Sequence, residues 1–176
     1  MAGDIGLFYG STTCYTEIVA EKIRDSIGAT RVDLFNIADQ PIALARSYRR
    51  LILGIPTWDY GELQEDWETI WATIPDIDWR GKTVALYGLG DQIGYPEWFQ
   101  DAMGYLWANI TSLGANCIGQ WPTRGYSYTN SQAITKDGAF FVGLALDEDS
   151  DFELSDERIE RWCQQIIEEF EAASSQ

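Results

Sequence analysis

The sequence predicts an α/β fold, a parallel sheet covered by helices on both faces. Short apolar runs alternate along the chain with segments carrying helical stripes. All but one of those runs are apolar without a clear polar alternation, as strands buried on both faces must be. A length of 176 residues suits one such domain, spanning 1–176.

The elements follow in order. IGLFY (5–9) is a strand; the turn GSTTCYTE (10–17) leads into a helix striped by Val19, Ile23 and Ile27 and closed by Gly28. TRVDLF (30–35) alternates polar with apolar residues, which suits an edge strand. LILGI (51–55) runs through GIPTWDYGE into a helix marked by Leu63, Trp67, Ile70, Trp71 and Ile74. TVALYG (83–88) runs through YGLGDQIGYPEW into one marked by Phe99, Met103, Leu106, Trp107 and Ile110, with Pro96 suited to a first helical position. ANCIG and AFFVGLAL supply the fifth strand. The aperiodic segment Trp121–Gly138 is expected to be a long surface loop that interrupts or doubles it. The last helix starts at Ser155, with Asp156 and Glu157 in its first turn, and is striped by Ile159, Trp162, Cys163, Ile166, Ile167 and Phe170. Its tail, EAASSQ, is expected to fray.

Composition narrows the function. The chain has 12 basic and 28 acidic residues, a net charge of −16, which disfavours nucleic acid and anionic lipid and favours a basic protein surface. There is no histidine, so the usual neutral-pH proton shuttle and commonest metal ligand are missing. The three cysteines show no metal-binding or disulfide-framework spacing; Cys117 and Cys163 read as core. The longest apolar stretch, AFFVGLAL, is too short to span a bilayer. A soluble, cytoplasmic protein without catalytic residues or a resident metal is expected.

In an open sheet of this type ligands sit at the carboxyl ends of the strands, so the turns after strands one, three and four carry the candidates. GSTTCYTE lacks any Lys or Arg, but a helix N-terminus offers unpaired N–H groups and a positive dipole end to an anion, and the Ser and Thr hydroxyls add donors. The same residues would equally make a ligand-free cap. Trp58, in the turn after strand three, and Tyr95, just before Pro96, are either stacking surfaces or aromatics folded over the core. Asp147, Asp149 and Asp151 imitate a calcium loop, but Phe152 stands where Gly is required and Arg158 where the bidentate Glu belongs. The Gly88, Gly90 and Gly94 spacing is too loose for a dinucleotide fingerprint.

Taken together, GSTTCYT, PTWDYGELQEDW and GLGDQIGYPEWFQDA resemble the phosphate loop and the two flavin-flanking loops of the flavodoxin family, in the right order over almost the whole chain. The stretch after Trp121 resembles its long-chain branch. The resemblance implies a flavodoxin-like three-layer sandwich, a five-stranded parallel sheet in the order 2-1-3-4-5 with helices on both faces. It also implies non-covalent FMN and service as a low-potential one-electron carrier between an NAD(P)H-dependent reductase with a basic surface and acceptor enzymes. A monomer is expected; the alternative is an FMN-dependent NAD(P)H quinone reductase of related fold. By the same resemblance Ser11, Thr12, Thr13, Cys14, Tyr15 and Thr16 would surround the phosphate. Trp58 and Tyr95 would cover the two flavin faces, and Asp59, Tyr60 and Gly61 would form the turn near flavin N5. Pro56, Thr57, Leu89, Gly90 and Asp91 would line the flavin edge, with Asp147 near the ribityl chain. Family members usually carry Gly where this chain has Cys14, and often Asn or Gly where it has Asp59. A left-handed backbone at Cys14 would then be strained.

Overall fold

The structure, a computed structural model, describes residues 3–174. β1 (Ile5–Tyr9), α1 (Tyr15–Ile27), β2 (Val32–Asn36) and β3 (Arg50–Trp58) come first. β4 (Glu62–Leu63), α2 (Glu65–Ile70), β5 (Thr83–Leu89) and α3 (Asp101–Ser112) follow. The last third holds β6 (Asn116–Ile118), β7 (Trp121–Pro122), β8 (Phe140–Phe141), β9 (Leu144–Leu146) and α4 (Ser155–Ser174). The sheet runs β2-β1-β3-β5-β6 with parallel pairing throughout, and β2 is an edge strand, as its alternation predicts.

Strand alternation divides the core. From β1, β3 and β5 the side chains of Leu7, Ile52, Ala85 and Tyr87 face α1 and α4, packing with Val19, Ile23, Trp162 and Ile166. Their neighbours Phe8, Leu51, Leu53, Val84 and Leu86 face the other layer, with Trp67, Trp79, Met103 and Leu106. Most of these side chains are fully buried, so both faces contribute to stability.

The fifth lane of the sheet is made of two short pieces. Thr83–Ala85 of β5 pairs with β6, and Tyr87–Leu89 pairs with β9. AFFVGLAL is therefore not one strand. Phe140–Phe141 turns away to pair with Trp121–Pro122, and only Leu144–Leu146 returns to the sheet. Gly143 marks the break, because a Cβ there would collide with the Leu86 carbonyl. The intervening chain is packed rather than loose. Tyr126 and Tyr128 stack around Phe99 and Phe141, the Tyr126 hydroxyl donates to the Ala145 carbonyl, and Asp101 accepts from the Gln132 N–H at 2.8 Å. Aromatic packing of this kind has no period in the sequence, so only its absence of pattern is visible there.

Two helices also differ from expectation. The stripe Leu63–Ile74 is divided among β4, α2 and a 3-10 helix, Trp71–Asp76, that contains Pro75. Pro96 does not open a helix; α3 begins at Asp101, after Gln100 has taken a left-handed conformation. At the far end Glu171–Ser174 continue α4, with Arg50 donating to the Ser174 hydroxyl; Ser175 and Gln176 lie outside the described residues.

A buried tyrosine ties β2 to the segment entering β3. The Tyr48 hydroxyl donates to Asp33 at 2.5 Å, and burial together with that carboxylate pushes its pKa up to about 12. An unfolded tyrosine ionises at about pH 10, so this contribution is complete below that pH and is lost as pH rises towards 12. Tyr48→Phe should therefore lose less stability than the parent on going from pH 10 to 12 in urea denaturation; parallel losses would contradict the assignment.

Candidate functional site

The turns after β1, β3, β5 and β9 converge at the carboxyl edge of the sheet on a cleft of about 270 Å³. Thr13 comes from the first turn, with Tyr15 and Thr16 from the start of α1. Pro56, Thr57 and Trp58 close β3, which runs beyond the expected LILGI so that Trp58 lies in the strand and not in the turn, and Asp59 follows it. Leu89 closes β5, and Gly90, Asp91 and Tyr95 follow it. Glu148 and Asp149 come from the fourth. No Lys or Arg is among the lining residues.

The first turn is held open for an acceptor. Gly10 sits where any Cβ would collide with Gln64 and Trp67, and the Gln64 side chain donates to the Thr12 hydroxyl at 3.0 Å. Tyr87, on β5, donates to the Thr16 carbonyl at 3.0 Å and props the first turn of α1 from below. No side chain caps α1, so its first-turn N–H groups point outward without the usual partner. Ser11 Oγ is buried and has no hydrogen-bond partner. An orphaned hydroxyl beside an uncapped helix is the signature of a site completed by an anion.

The aromatic residues arrive from the end of β3 and the turn after β5. Trp58 is half-buried, and its indole Nε1 is buried without a partner. Tyr95 sits across the cleft beside Asp59, whose charge is the leading cause of its raised hydroxyl pKa. Tyr60 does not line the cleft; it is 66% exposed and packs edge-on against Tyr95 and Trp98. Gly61 packs close to Asp101 and Trp98 with φ of 86°, again outside the lining.

Asp147 is placed differently from a side chain beside a ligand. Its carboxylate is fully buried and accepts from the N–H groups of Gln92, Asp149 and Ser150, so it clamps the third turn to the fourth. Its successors face the cleft instead. Carboxylate oxygens of Asp91, Asp147 and Asp149 lie within 4.8 Å of one another. Burial first, then these two neighbours, holds the Asp149 pKa above the ordinary value, and burial does the same for Glu148.

The family model described as Flavodoxin matches residues 7–162. The chain belongs to the flavodoxin family. It is 55% identical over 166 residues to flavodoxin 2 of Escherichia coli, covering 94% of this chain and 96% of that one. It is 49% identical over 163 residues to a Picosynechococcus flavodoxin, covering 92% and 95%. Among solved structures, the Fusobacterium nucleatum flavodoxin bound to flavin mononucleotide superposes with a TM-score of 0.88 at 31% identity, covering 94% of this chain and 97% of that one.

Sequence reasoning missed four residues of this flavodoxin's site. Gln64 and Gln92 are buried amides that join turns, and nothing in a single sequence separates a buried glutamine from a surface one. Asp149 stood out only as part of a rejected calcium-loop imitation, and Glu148 beside it carried no signal of its own.

Cys14 is exposed and adopts φ 70° and ψ −7°, the left-handed conformation that favours glycine. A non-glycine residue there costs about 1–2 kcal/mol, against about 0.5–1 kcal/mol for the extra freedom glycine brings to the unfolded chain. Cys14→Gly should raise the unfolding free energy of the ligand-free protein by about 0.5–1 kcal/mol. An unchanged or lower urea midpoint would show that the thiol compensates the strain.

Proposed function

We propose that this flavodoxin holds FMN non-covalently in the cleft and serves as a low-potential one-electron carrier, passing electrons from an NAD(P)H-dependent reductase to acceptor enzymes. The observation that carries the reading is the pairing of an uncapped helix start and orphaned Ser11 hydroxyl with two aromatic walls in one cleft. FMN, when bound, supplies reversible one-electron chemistry.

The residues of the turns bind and tune. Ser11, Thr12, Thr13, Cys14, Tyr15 and Thr16 hold the phosphate through hydroxyls and backbone N–H groups, with the α1 dipole replacing a cation. Trp58 and Tyr95 cover the ring, exclude water and leave a hydride donor no room to stack; the protein therefore carries electrons without turning over a substrate of its own. Pro56, Thr57, Leu89, Gly90 and Asp91 form the edge, and Asp59, Tyr60 and Gly61 the turn beside it. Asp147 acts by holding Gln92 and Asp149 in place.

Charge sets the potential. Asp59, Asp91, Glu148 and Asp149 line the cleft with no cation to offset them. A carboxylate about 10 Å from an added electron, at an effective dielectric near 40, opposes it by about 0.8 kcal/mol, or about 35 mV. The same acidity recruits basic partners. The cysteines are all free, in keeping with the cytoplasm, and no helix among the described residues is long and apolar enough to cross a membrane. The protein acts there as a monomer, and its divided fifth strand fits the long-chain branch.

Three measurements test this reading. The purified protein should carry a yellow chromophore and be reduced quickly by NADPH only when a reductase is added. Rapid reduction by NADPH alone would favour a quinone reductase, and no flavin uptake at any FMN concentration would end the proposal. Asp59→Asn should raise the lower of the two one-electron potentials by about 35 mV in a redox titration, and a lower potential would refute the electrostatic account. Reductase-dependent reduction should slow as ionic strength rises from low salt; a salt-independent rate would remove acidic steering.

A further inference from the structure

A second concavity, a groove of about 580 Å³, lies between the β7 end of the insertion and α4, and shares no lining residue with the cofactor cleft. Its walls carry Arg124, Arg158 and Arg161, a local concentration of cations in a chain of net charge −16. Such clustering against the overall charge calls for a ligand, because screening over about 8 Å leaves the nearest charges in control.

The three arginines are unequally committed. Arg158 is fixed, its guanidinium 4.3 Å over the Tyr126 ring and 3.4 Å from Asp151. Arg161 reaches Glu157 only at 3.8 Å, and both are mostly exposed, so this contact is weak in water. Arg124 is exposed and makes no ion pair among the described residues. One unpaired guanidinium, Arg124, and one loosely paired with the lining residue Glu157, Arg161, thus stand beside a positioned third, over an apolar floor that includes Trp121, Pro122 and Leu154.

We propose that this groove binds a small organic phosphate, its dianion held by Arg124, Arg158 and Arg161 and its apolar body against Trp121, Pro122 and Leu154. Planar guanidinium forks match phosphate oxygens in pairs, and the more highly charged phosphate competes better than a carboxylate with Glu157 and Asp151 for those donors. The volume suits a ligand of that size.

The test is calorimetric titration of FMN-saturated protein, so that the α1 phosphate turn is already filled, with ADP and inorganic pyrophosphate as probes. One saturable site is expected for each probe, with ADP the tighter. The double variant Arg124→Ala, Arg161→Ala removes two exposed side chains and should weaken both probes at least about tenfold while leaving the flavin absorbance spectrum unchanged. Leu154→Ser should weaken ADP and spare pyrophosphate. No saturable binding of either probe at millimolar concentration would overturn the proposal, as would equal affinities in the double variant. Release of FMN by added ADP, read as the loss of the bound-flavin absorbance spectrum, would assign the heat to the cofactor cleft and overturn it too.

Discussion

The proposed anion site at the start of α1, made without a cation, depends on the architecture around it. Backbone N–H groups cannot reach out as a lysine can, so the acceptor must come to the start of α1, and that start must be fixed to the sheet. Tyr87 does this from β5 through the Thr16 carbonyl, and Gln64 does it from the turn after β3 through Thr12. Gly10 lets Gln64 approach, and Gly54 makes room for Tyr87. In return the surroundings are free to be wholly acidic, since a site of the proposed kind needs no lysine and the cleft lining has none.

The second constraint is the buried Asp147 carboxylate. A polar group removed from water must have its acceptors satisfied, and three backbone N–H groups from two turns do so. Gln92 extends the clamp: its side chain donates to Asp151 at 2.6 Å and accepts from the Ser127 N–H. The insertion is thereby tied to the turn that contributes Asp91 and Tyr95. A segment that looks like a surface loop in the sequence is a wedge between β6 and β9 whose aromatic residues complete the core over Phe99.

Strand runs, helix stripes and the three turns were legible because each repeats a local rule: apolar continuity, a helical period, a glycine or hydroxyl at a strand exit. Tyr95 was legible as a large aromatic in a turn, and Trp58 as one near a strand exit, although it closes β3 and does not follow it. What escaped was non-local. Gln64 and Gln92 matter only for what they touch across the fold, and the division of AFFVGLAL depends on Gly143 meeting β5. The stripe from Leu63 to Ile74 kept its helical period although the backbone changes type twice along it, because side chains can face one core through several backbone forms.

The non-glycine residues with positive φ sharpen the same point. Cys14, Asp59 and Gln100 are in the left-handed region, and all three occur after a strand has left the sheet at its carboxyl edge. Each conformation is unfavourable by about 1–2 kcal/mol for an ordinary residue, less for aspartate. Ordinary turns in the chain instead use glycine at such positions, as Gly28, Gly81 and Gly138 do. Strain is therefore kept at the edge that holds the cleft, where a rigid two-sided core can impose it. Gln100 shows how: its Nε2 donates to the Leu146 carbonyl, while its own Oε1 stays buried and unpartnered. The strained Gln100 is thereby the residue that fixes where α3 begins, and with it the backbone N–H of Ala102 that Thr57 accepts from in the cleft wall.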